Sequence, residues 1–194
     1  MAVDISNMLS NNVIIIDSDY IDNVASDFSK NFENMLNRQI PKADLPLWLD
    51  CISLDAGIEP GKNDIQTIFI YSSNELKSFS PSKISEEIDG KAFIDNLGEF
   101  TMEAYKVEQD VTTIGDQFAD TISVLLNAES VKKILIIPNM ELYGEKIKRT
   151  LEEKKDKDVV LFSILPQAEQ GFTCQQLGFS VLHALGIRGE EFQD

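Results

Sequence analysis

Basic residues and histidine are scarce in this sequence of 194 residues, and their scarcity excludes several classes of function. The chain holds 17 Lys and Arg against 33 Asp and Glu, which gives a formal net charge of −16. A general nucleic-acid-coating protein needs positive charge to neutralise phosphates, so that class is excluded. The same charge disfavours an anionic membrane surface. His183 is the single histidine, and we expect it to be structural rather than a catalytic base.

Long apolar runs and paired cysteines are also missing. No apolar run approaches the roughly 20 residues of a membrane-spanning helix, and the N-terminus has no basic segment ahead of an apolar core. Cys51 and Cys174 fall in no paired-ligand spacing. No Walker-type phosphate loop or glycine-rich dinucleotide fingerprint occurs. These absences predict a reduced, cytoplasmic protein.

The composition is that of one globular domain. Apolar residues make up 43% of the chain and charged residues 26%, and a chain of this length buries about 70% of its unfolded surface on folding. We expect a single α/β domain over residues 12–187. An N-terminal extension covers residues 1–11, and an acidic C-terminal tail, expected to be frayed, covers residues 188–194.

Short apolar runs alternate with helical periodicity along the chain. The runs predict strands at 13–16, 65–71, 100–105, 134–137 and 159–164, and the periodic segments predict helices at 21–36, 45–52, 81–88, 114–126, 142–151 and 177–185. Strands that alternate with helices need crossover connections, which make parallel sheets. We therefore predict a three-layer α/β sandwich, with a five-stranded, mostly parallel sheet and helices on both faces, as in Rossmann-like folds.

Acidic residues stand beside the predicted strand ends. Asp17 and Asp19 follow the first strand, Asp116 and Asp120 lie on the helix before the fourth, and Glu141 follows the fourth. Ligands of open parallel sheets bind beyond the carboxyl ends of the strands, so we expect Asp17, Asp116 or Asp120, and Glu141 to meet there. Carboxylates brought together repel one another unless a cation compensates them, and oxygen-rich clusters suit Mg²⁺ or Mn²⁺.

The same positions have a structural interpretation. Asp17-Ser18-Asp19 and Asn139 both precede predicted helices, and Asp, Ser and Asn are favoured helix N-caps. A chain as acidic as this one also places some carboxylates at strand ends by chance. The sequence leaves both interpretations open.

The order of elements resembles the PIN-like nuclease superfamily, and within it the NYN domains, over roughly residues 12–165. The resemblance rests on the apolar strand and acidic end of residues 13–19, on acidic residues in the helix before the fourth strand, and on residues 137–142. The last stretch, Ile-Pro-Asn-Met-Glu-Leu, stands where the family has a Ser-Gly-Asp-x-Asp-Phe signature. Pro138 replaces the glycine and Asn139 replaces the first signature aspartate.

The resemblance implies a divalent-metal site. Asp17 would be its central ligand, Asp116 or Asp120 a second ligand, and Glu141 would stand at the second signature aspartate. Because Asn139 lacks the charge of the aspartate, the acidic site would be incomplete.

A second resemblance is to haloacid dehalogenase-like phosphatases. Asp17-Ser18-Asp19 after an apolar strand is similar to the opening motif of that family. The resemblance makes Asp17 a nucleophile, Asp19 a general acid or base, and Ser72 a phosphate-binding hydroxyl. Asn139 and Glu141 stand where a later acidic pair would hold Mg²⁺.

Two further groups of residues have structural interpretations. Trp48 and Cys51 share one face of a short helix, which indicates core packing or a partner surface. Lysines and one arginine concentrate around the fourth strand and its helix, where interleaved acids favour a solvated, ion-paired face over a nucleic-acid patch. These basic residues are Lys132, Lys133, Lys146, Lys148, Arg149, Lys154, Lys155 and Lys157.

The function predicted from the sequence is a PIN/NYN-like domain with an incomplete acidic site that acts as a binding or regulatory module. It would bind a protein partner, or alternatively RNA, and any cofactor would be Mg²⁺ or Mn²⁺. One alternative is a Mg²⁺- or Mn²⁺-dependent ribonuclease, and another is a phosphatase that uses Asp17 and Asp19.

Overall fold

The computed structural model describes residues 9–153 and 156–192. Within them the strands are β1 (Asn12–Asp17), β2 (Ala43–Asp44), β3 (Asn63–Tyr71), β4 (Phe79–Ser80), β5 (Lys91–Ile94), β6 (Gly98–Lys106), β7 (Lys133–Ile137), β8 (Asp158–Ser163) and β9 (Thr173–Gln176). The α-helices are α1 (Ser18–Leu36), α2 (Leu45–Asp55), α3 (Ile114–Asn127), α4 (Met140–Leu151) and α5 (Leu177–Ala184). A π-helical turn covers Ile84–Ile88 and a 3₁₀ turn covers Gly189–Phe192.

Seven of these strands form one sheet in the order β5-β6-β3-β1-β7-β8-β9. Six of them run parallel, and β5 pairs antiparallel with β6. The prediction of a mostly parallel α/β sheet is confirmed, whereas the predicted number of five strands was wrong. Strands β3 and β6 are added on one side of β1, whereas β7 and then β8 are added on its other side. The switch point of the sheet therefore lies between β1 and β7.

Of the four strands missing from the prediction, β2 and β4 form a separate pair, and β5 and β9 lie at the edges of the main sheet. Each has four residues, and neither contains a fully buried side chain. The hydrophobic pattern identified β1, β7 and β8 because a parallel strand covered on both faces is apolar throughout. An edge strand pairs on one side only and leaves side chains in water, so its sequence carries no such run.

Two helical layers enclose the sheet, and β1 shows how its side chains are divided between them. Ile14 and Ile16 point to the first face, which α1, α2 and α5 cover, whereas Val13 and Ile15 point to the second face, which α3 and α4 cover. All four side chains are fully buried. Each contributes about 1.5–3 kcal/mol relative to an exposed position.

Side-chain caps fix where most of the helices begin. Asp17 caps α1, Asp44 caps α2, Thr113 caps α3 and Asn139 caps α4, each by accepting a hydrogen bond from a backbone N–H. The capping interpretation of Asp17 and Asn139 is therefore confirmed. Asp19 lies inside the first turn of α1 and is not its cap.

The helix predicted to begin at Ser80-Pro81 was wrong. Ser80 belongs to β4, which pairs with β2 through the register Ala43↔Phe79 and Asp44↔Ser80. This pairing holds Ser80 in an extended conformation, so helical structure begins only at Ile84.

Both ends of the described chain pack against the domain. Leu9, in the predicted extension, is buried in the second-face core, and the Ser10 N–H donates to Gln66 Oε1. At the other end, Arg38 forms an ion pair with Glu191, and the ring of Phe192 lies 5.5 Å from that of Phe32. The expected frayed tail is therefore docked on α1 as far as Phe192. Residues 1–8, 193 and 194, which belong to the same predicted extensions, lie outside the described residues.

None of the described helices combines the length and the apolar character that a membrane span requires.

Candidate functional site

The switch point of the sheet is occupied by a hydrogen bond between Asp17 and Tyr143. Asp17 ends β1 and is 2% exposed, and Tyr143 lies on α4, the helix that follows β7. The Tyr143 hydroxyl donates to Asp17 Oδ2 at 2.6 Å, and the Tyr20 N–H donates to Asp17 Oδ1 at 2.9 Å. Both carboxylate oxygens of Asp17 are thus engaged by donors of the protein itself.

Burial dominates the electrostatics of this pair. It raises the pKa of Asp17 from 3.8 to about 6, although the hydrogen bonds from Tyr143 and from the Tyr20 amide act in the opposite direction. Burial, followed by the charge of Asp17, also raises the pKa of the Tyr143 hydroxyl. Tyr143 therefore keeps its proton at neutral pH and acts as the donor of the pair.

Helix α3 fixes the position of Tyr143. A Cβ atom at Gly115 would lie 2.9 Å from Tyr143 Cβ and Cγ, so only glycine allows this approach. The ring of Phe118 lies 5.9 Å from that of Tyr143. Tyr143 itself departs from helical geometry, with φ −139° and ψ 25°, inside α4. The Asp17–Tyr143 pair is thus held by packing between α3 and α4.

Asp19 holds the backbone that follows β3. Its Oδ2 accepts from the Ser72 N–H and its Oδ1 from the Ser73 N–H, both at 3.0 Å. Asp22, one turn later, accepts from the Ser78 N–H at 2.8 Å. Ser72, singled out as a phosphate-binding hydroxyl, supplies its backbone amide to this contact. The first turns of α1 therefore use their carboxylates to anchor the adjacent loop.

The other predicted site residues have separate surroundings. Asp116 forms an ion pair with Lys146 and accepts from the Thr113 hydroxyl at 2.7 Å, and these contacts hold its pKa below the ordinary value. Asp120 and Glu141 are exposed. Burial raises the pKa of the Tyr20 hydroxyl to about 12, and the charge of the nearby Glu141 contributes to this rise.

The structure thus brings Asp17 and Glu141 to the surroundings of the same tyrosine, Tyr20, and engages Asp116 with a lysine instead. Within residues 9–153 and 156–192, no group of three His, Cys, Asp or Glu side chains is arranged to hold a metal ion.

A surface cavity of about 500 Å³ opens beside Tyr143, between the N-terminal turn of α3 and the outer side of α4. Gly115 and Tyr143 form its inner wall, and Lys146 and Arg149 line it from α4. Asp17 is not among its lining residues. The cavity and the buried carboxylate are therefore separate features that share Tyr143.

Sequence reasoning missed Tyr143 and Tyr20. Each lies in the first turn of a helix that directly follows a switch-point strand, β1 or β7. This position beside the strand end is the feature of the sequence that could have indicated them. Nothing in their local sequence distinguishes them from core aromatic residues.

The remaining candidates differ in their surroundings. Trp48 is fully buried, donates to Ser180 Oγ at 3.2 Å and packs 5.7 Å from Phe79, so the packing interpretation is confirmed for it. Lys148 pairs with Glu145, as expected for an ion-paired face. His183 is exposed on the last turn of α5. Lys154 and Lys155 lie outside the described residues.

Comparison with known proteins places every element of the domain in one family. A family model described as "Family of unknown function (DUF6621)" matches residues 6–192. No curated protein and no solved structure matches the chain. The matched range includes Asp17 and Tyr143, so the switch-point pair lies inside the region that defines the family.

Proposed function

The chain belongs to the DUF6621 family, whose function is unknown, and from the geometry of its switch point we propose that it is a binding or regulatory domain without catalytic activity. The proposal includes the similarity to PIN-like and NYN domains. It is supported by the order of the strands along the chain, with α1 and α2 before β3, the π-helical turn before β6, α3 before β7 and α4 before β8.

The enclosure of Asp17 is the observation that carries the proposal. A divalent cation needs carboxylate oxygens that are free to coordinate it. Each oxygen of Asp17 already accepts one hydrogen bond, from the Tyr143 hydroxyl or from the Tyr20 amide, and the residue is only 2% exposed, so a hydrated cation has little access to it. A cation at this position would have to enter a buried site beside a tyrosine that α3 holds in place.

The neighbouring carboxylates support the same conclusion. Both carboxylate oxygens of Asp19 accept hydrogen bonds from backbone amides. If Asp19 acted as a general acid or base, as the phosphatase alternative requires, the contact that anchors the loop after β3 would be lost. Of the two possible second ligands in the ribonuclease alternative, Asp116 forms an ion pair with Lys146, and Asp120 is exposed on α3. Each enzyme alternative therefore includes at least one carboxylate that already has a partner within the fold.

The test is a thermal-melting titration with Mn²⁺ and Mg²⁺. We expect millimolar metal to leave the midpoint of the wild-type protein and of Asp17→Asn unchanged within about 1 °C. By contrast, an ion site occupied at 100 times its Kd would add about 2.7 kcal/mol to the free energy of unfolding. In a domain of this size that free energy corresponds to a shift of about 5–10 °C.

Asp27→Asn is the matched control, since it removes an exposed carboxylate of the same helix. A metal-dependent rise that occurs in the wild type and in Asp27→Asn but disappears in Asp17→Asn would overturn the proposal. It would also justify assays on RNA and on phosphate esters.

A further inference from the structure

Among residues 9–153 and 156–192, helical structure covers one part of the sheet on one face only. On the first face, β6 is covered by the turn Ile84–Ile88, and Phe100 and Met102 are buried there. On the second face, α3 packs over β1 and β3 and against α4, and it stops short of the edge formed by β6 and β5.

The strand register identifies the side chains on this uncovered surface. Phe93 pairs with Phe100, and their rings stack at 4.6 Å on the first face. Because side chains alternate along a strand, the residues between them point the other way. The surface, called here the open face, consists of Ala92, Ile94, Glu99, Thr101, Glu103 and Tyr105.

Exposed apolar side chains lie at both ends of the open face. Ile94 is 77% exposed beside Glu99, at the start of β6. At the other end, Tyr105 borders a cavity of about 270 Å³ that reaches Gln117 of α3. Val111, which also lines this cavity, is 70% exposed. The open face therefore combines an exposed isoleucine with a recess that can accept an apolar side chain.

The charge of the open face has one sign. Glu99 and Glu103 are its ionisable acids, and neither takes part in an ion pair within the described residues. Glu103 instead accepts from Gln66 Nε2 at 3.2 Å and from the Tyr105 hydroxyl at 2.8 Å. Lys91 pairs with Met102 and so belongs to the first face. An approaching cation meets no competing lysine between Ile94 and Glu103, whereas Lys106 lines the recess beside Tyr105 together with Glu108.

The dimensions of the open face suit one α-helix. Two strands spaced about 4.8 Å apart give a width of about 10 Å, close to the diameter of a helix with its side chains. The surface has this width only along the four residues of β5, and from Glu99 to Tyr105 it extends for about 20 Å, the length of a helix of about 13 residues.

We propose that the open face binds a basic amphipathic helix of a partner protein, which completes the missing part of the second helical layer. The inference rests on the proposed binding function and specifies its surface and partner. Apolar side chains of the helix would cover Ile94 and enter the recess beside Tyr105, and its lysines or arginines would pair with Glu99 and Glu103. The net charge of −16 adds a general attraction for such a partner.

The experiment uses a synthetic helix of about 20 residues that carries leucine on one side and lysine on the other. Its Kd is measured by fluorescence anisotropy at physiological salt against the full chain. The double variant Ile94→Asp with Glu99→Lys should weaken binding at least about tenfold. A control peptide has the same composition but no helical periodicity. Its Kd for the wild-type chain should be as weak as the Kd of the amphipathic peptide for the double variant.

The matched control is Phe179→Asp with Asp27→Lys, which makes the same change of charge on exposed positions of α5 and α1. It should change the Kd by less than about twofold. All variants replace exposed side chains, and thermal melting checks that they fold.

Three outcomes would overturn the inference. The first is equal weakening by both double variants, which would indicate attraction by net charge alone. The second is no binding to the wild type. The third is a wild-type dimer that Ile94→Asp with Glu99→Lys converts to a monomer in sedimentation, which would assign the open face to a second copy of the chain. None of these variants touches Asp17, so the metal titration still decides the proposed function separately.

Discussion

At Asp17, burial and hydrogen bonding act in opposite directions on the same carboxylate. Burial removes water from the charged form, whereas the Tyr143 hydroxyl and the Tyr20 amide stabilise it. The carboxylate remains more basic than an ordinary aspartate because the loss of hydration is the larger effect. A position of this kind is sensitive to the loss of either donor.

Tyr143→Phe should therefore destabilise the protein in a pH-dependent manner. Above about pH 7 Asp17 is ionised, and the loss of a hydrogen bond to a charged group should lower the free energy of unfolding by about 1.5–3 kcal/mol. Below about pH 5 the carboxyl is neutral, and the loss should fall to about 1 kcal/mol. Urea unfolding at the two pH values measures the difference.

Tyr20→Phe serves as the control for Tyr143→Phe. It removes a hydroxyl near Asp17, whose contact with Tyr20 is made through the backbone N–H. We expect a small loss that does not vary with pH. A loss in Tyr143→Phe that is equal at both pH values would show that its hydroxyl does not stabilise the charge on Asp17.

Among the secondary-structure elements, the contact between α3 and α4 depends on the absence of a side chain at Gly115. Alanine is favoured over glycine within a helix by about 1 kcal/mol. Gly115→Ala should nevertheless lower the free energy of unfolding by about 1–2 kcal/mol, because its Cβ would overlap the Tyr143 side chain. Chemical denaturation at neutral pH checks this.

Gly178→Ala is the helical control for Gly115→Ala. Its Cβ would lie 3.6 Å from the Phe28 ring, an ordinary van der Waals contact. This variant should be neutral or more stable than the wild type. If Gly115→Ala is also stabilising, α3 and α4 are free to separate and the rigidity argued for Tyr143 is incorrect.

For the whole molecule, the raised pKa of Asp17 makes stability depend on pH. The folded state binds the proton of Asp17 more tightly than the unfolded state does, because the pKa rises from 3.8 to about 6. The resulting stabilisation is fully present below about pH 4 and is lost as the pH rises through 6. A shift of about two units corresponds to about 3 kcal/mol.

Asp17→Asn should therefore flatten the pH dependence of unfolding between about pH 4 and pH 7. Asp50, whose pKa is also raised to about 6 by burial and by Asp95, should retain part of the slope. Asp27→Asn should keep the wild-type profile. Identical profiles for Asp17→Asn and the wild type would show that Asp17 titrates in the folded state as it does in the unfolded chain.

The sequence by itself determined the central strands, most of the helices and two of the caps. These features are local: a doubly covered strand such as β1 must be apolar, and Asp17 and Asn139 cap the helices that directly follow them. The sequence also identified Asp17 as the residue at the end of the first strand, although not what it contacts.

The partner of Asp17, the edge strands and the open face follow only from the tertiary structure, because they depend on residues far apart in the chain. The partner of Asp17 is Tyr143, 126 positions away, and no spacing rule links the two. The edge strands β5 and β9 exist because of the neighbours they pair with rather than because of their own pattern. The open face exists because α3 covers the second face of the sheet only as far as β3. This limit results from packing between layers, which local sequence does not encode.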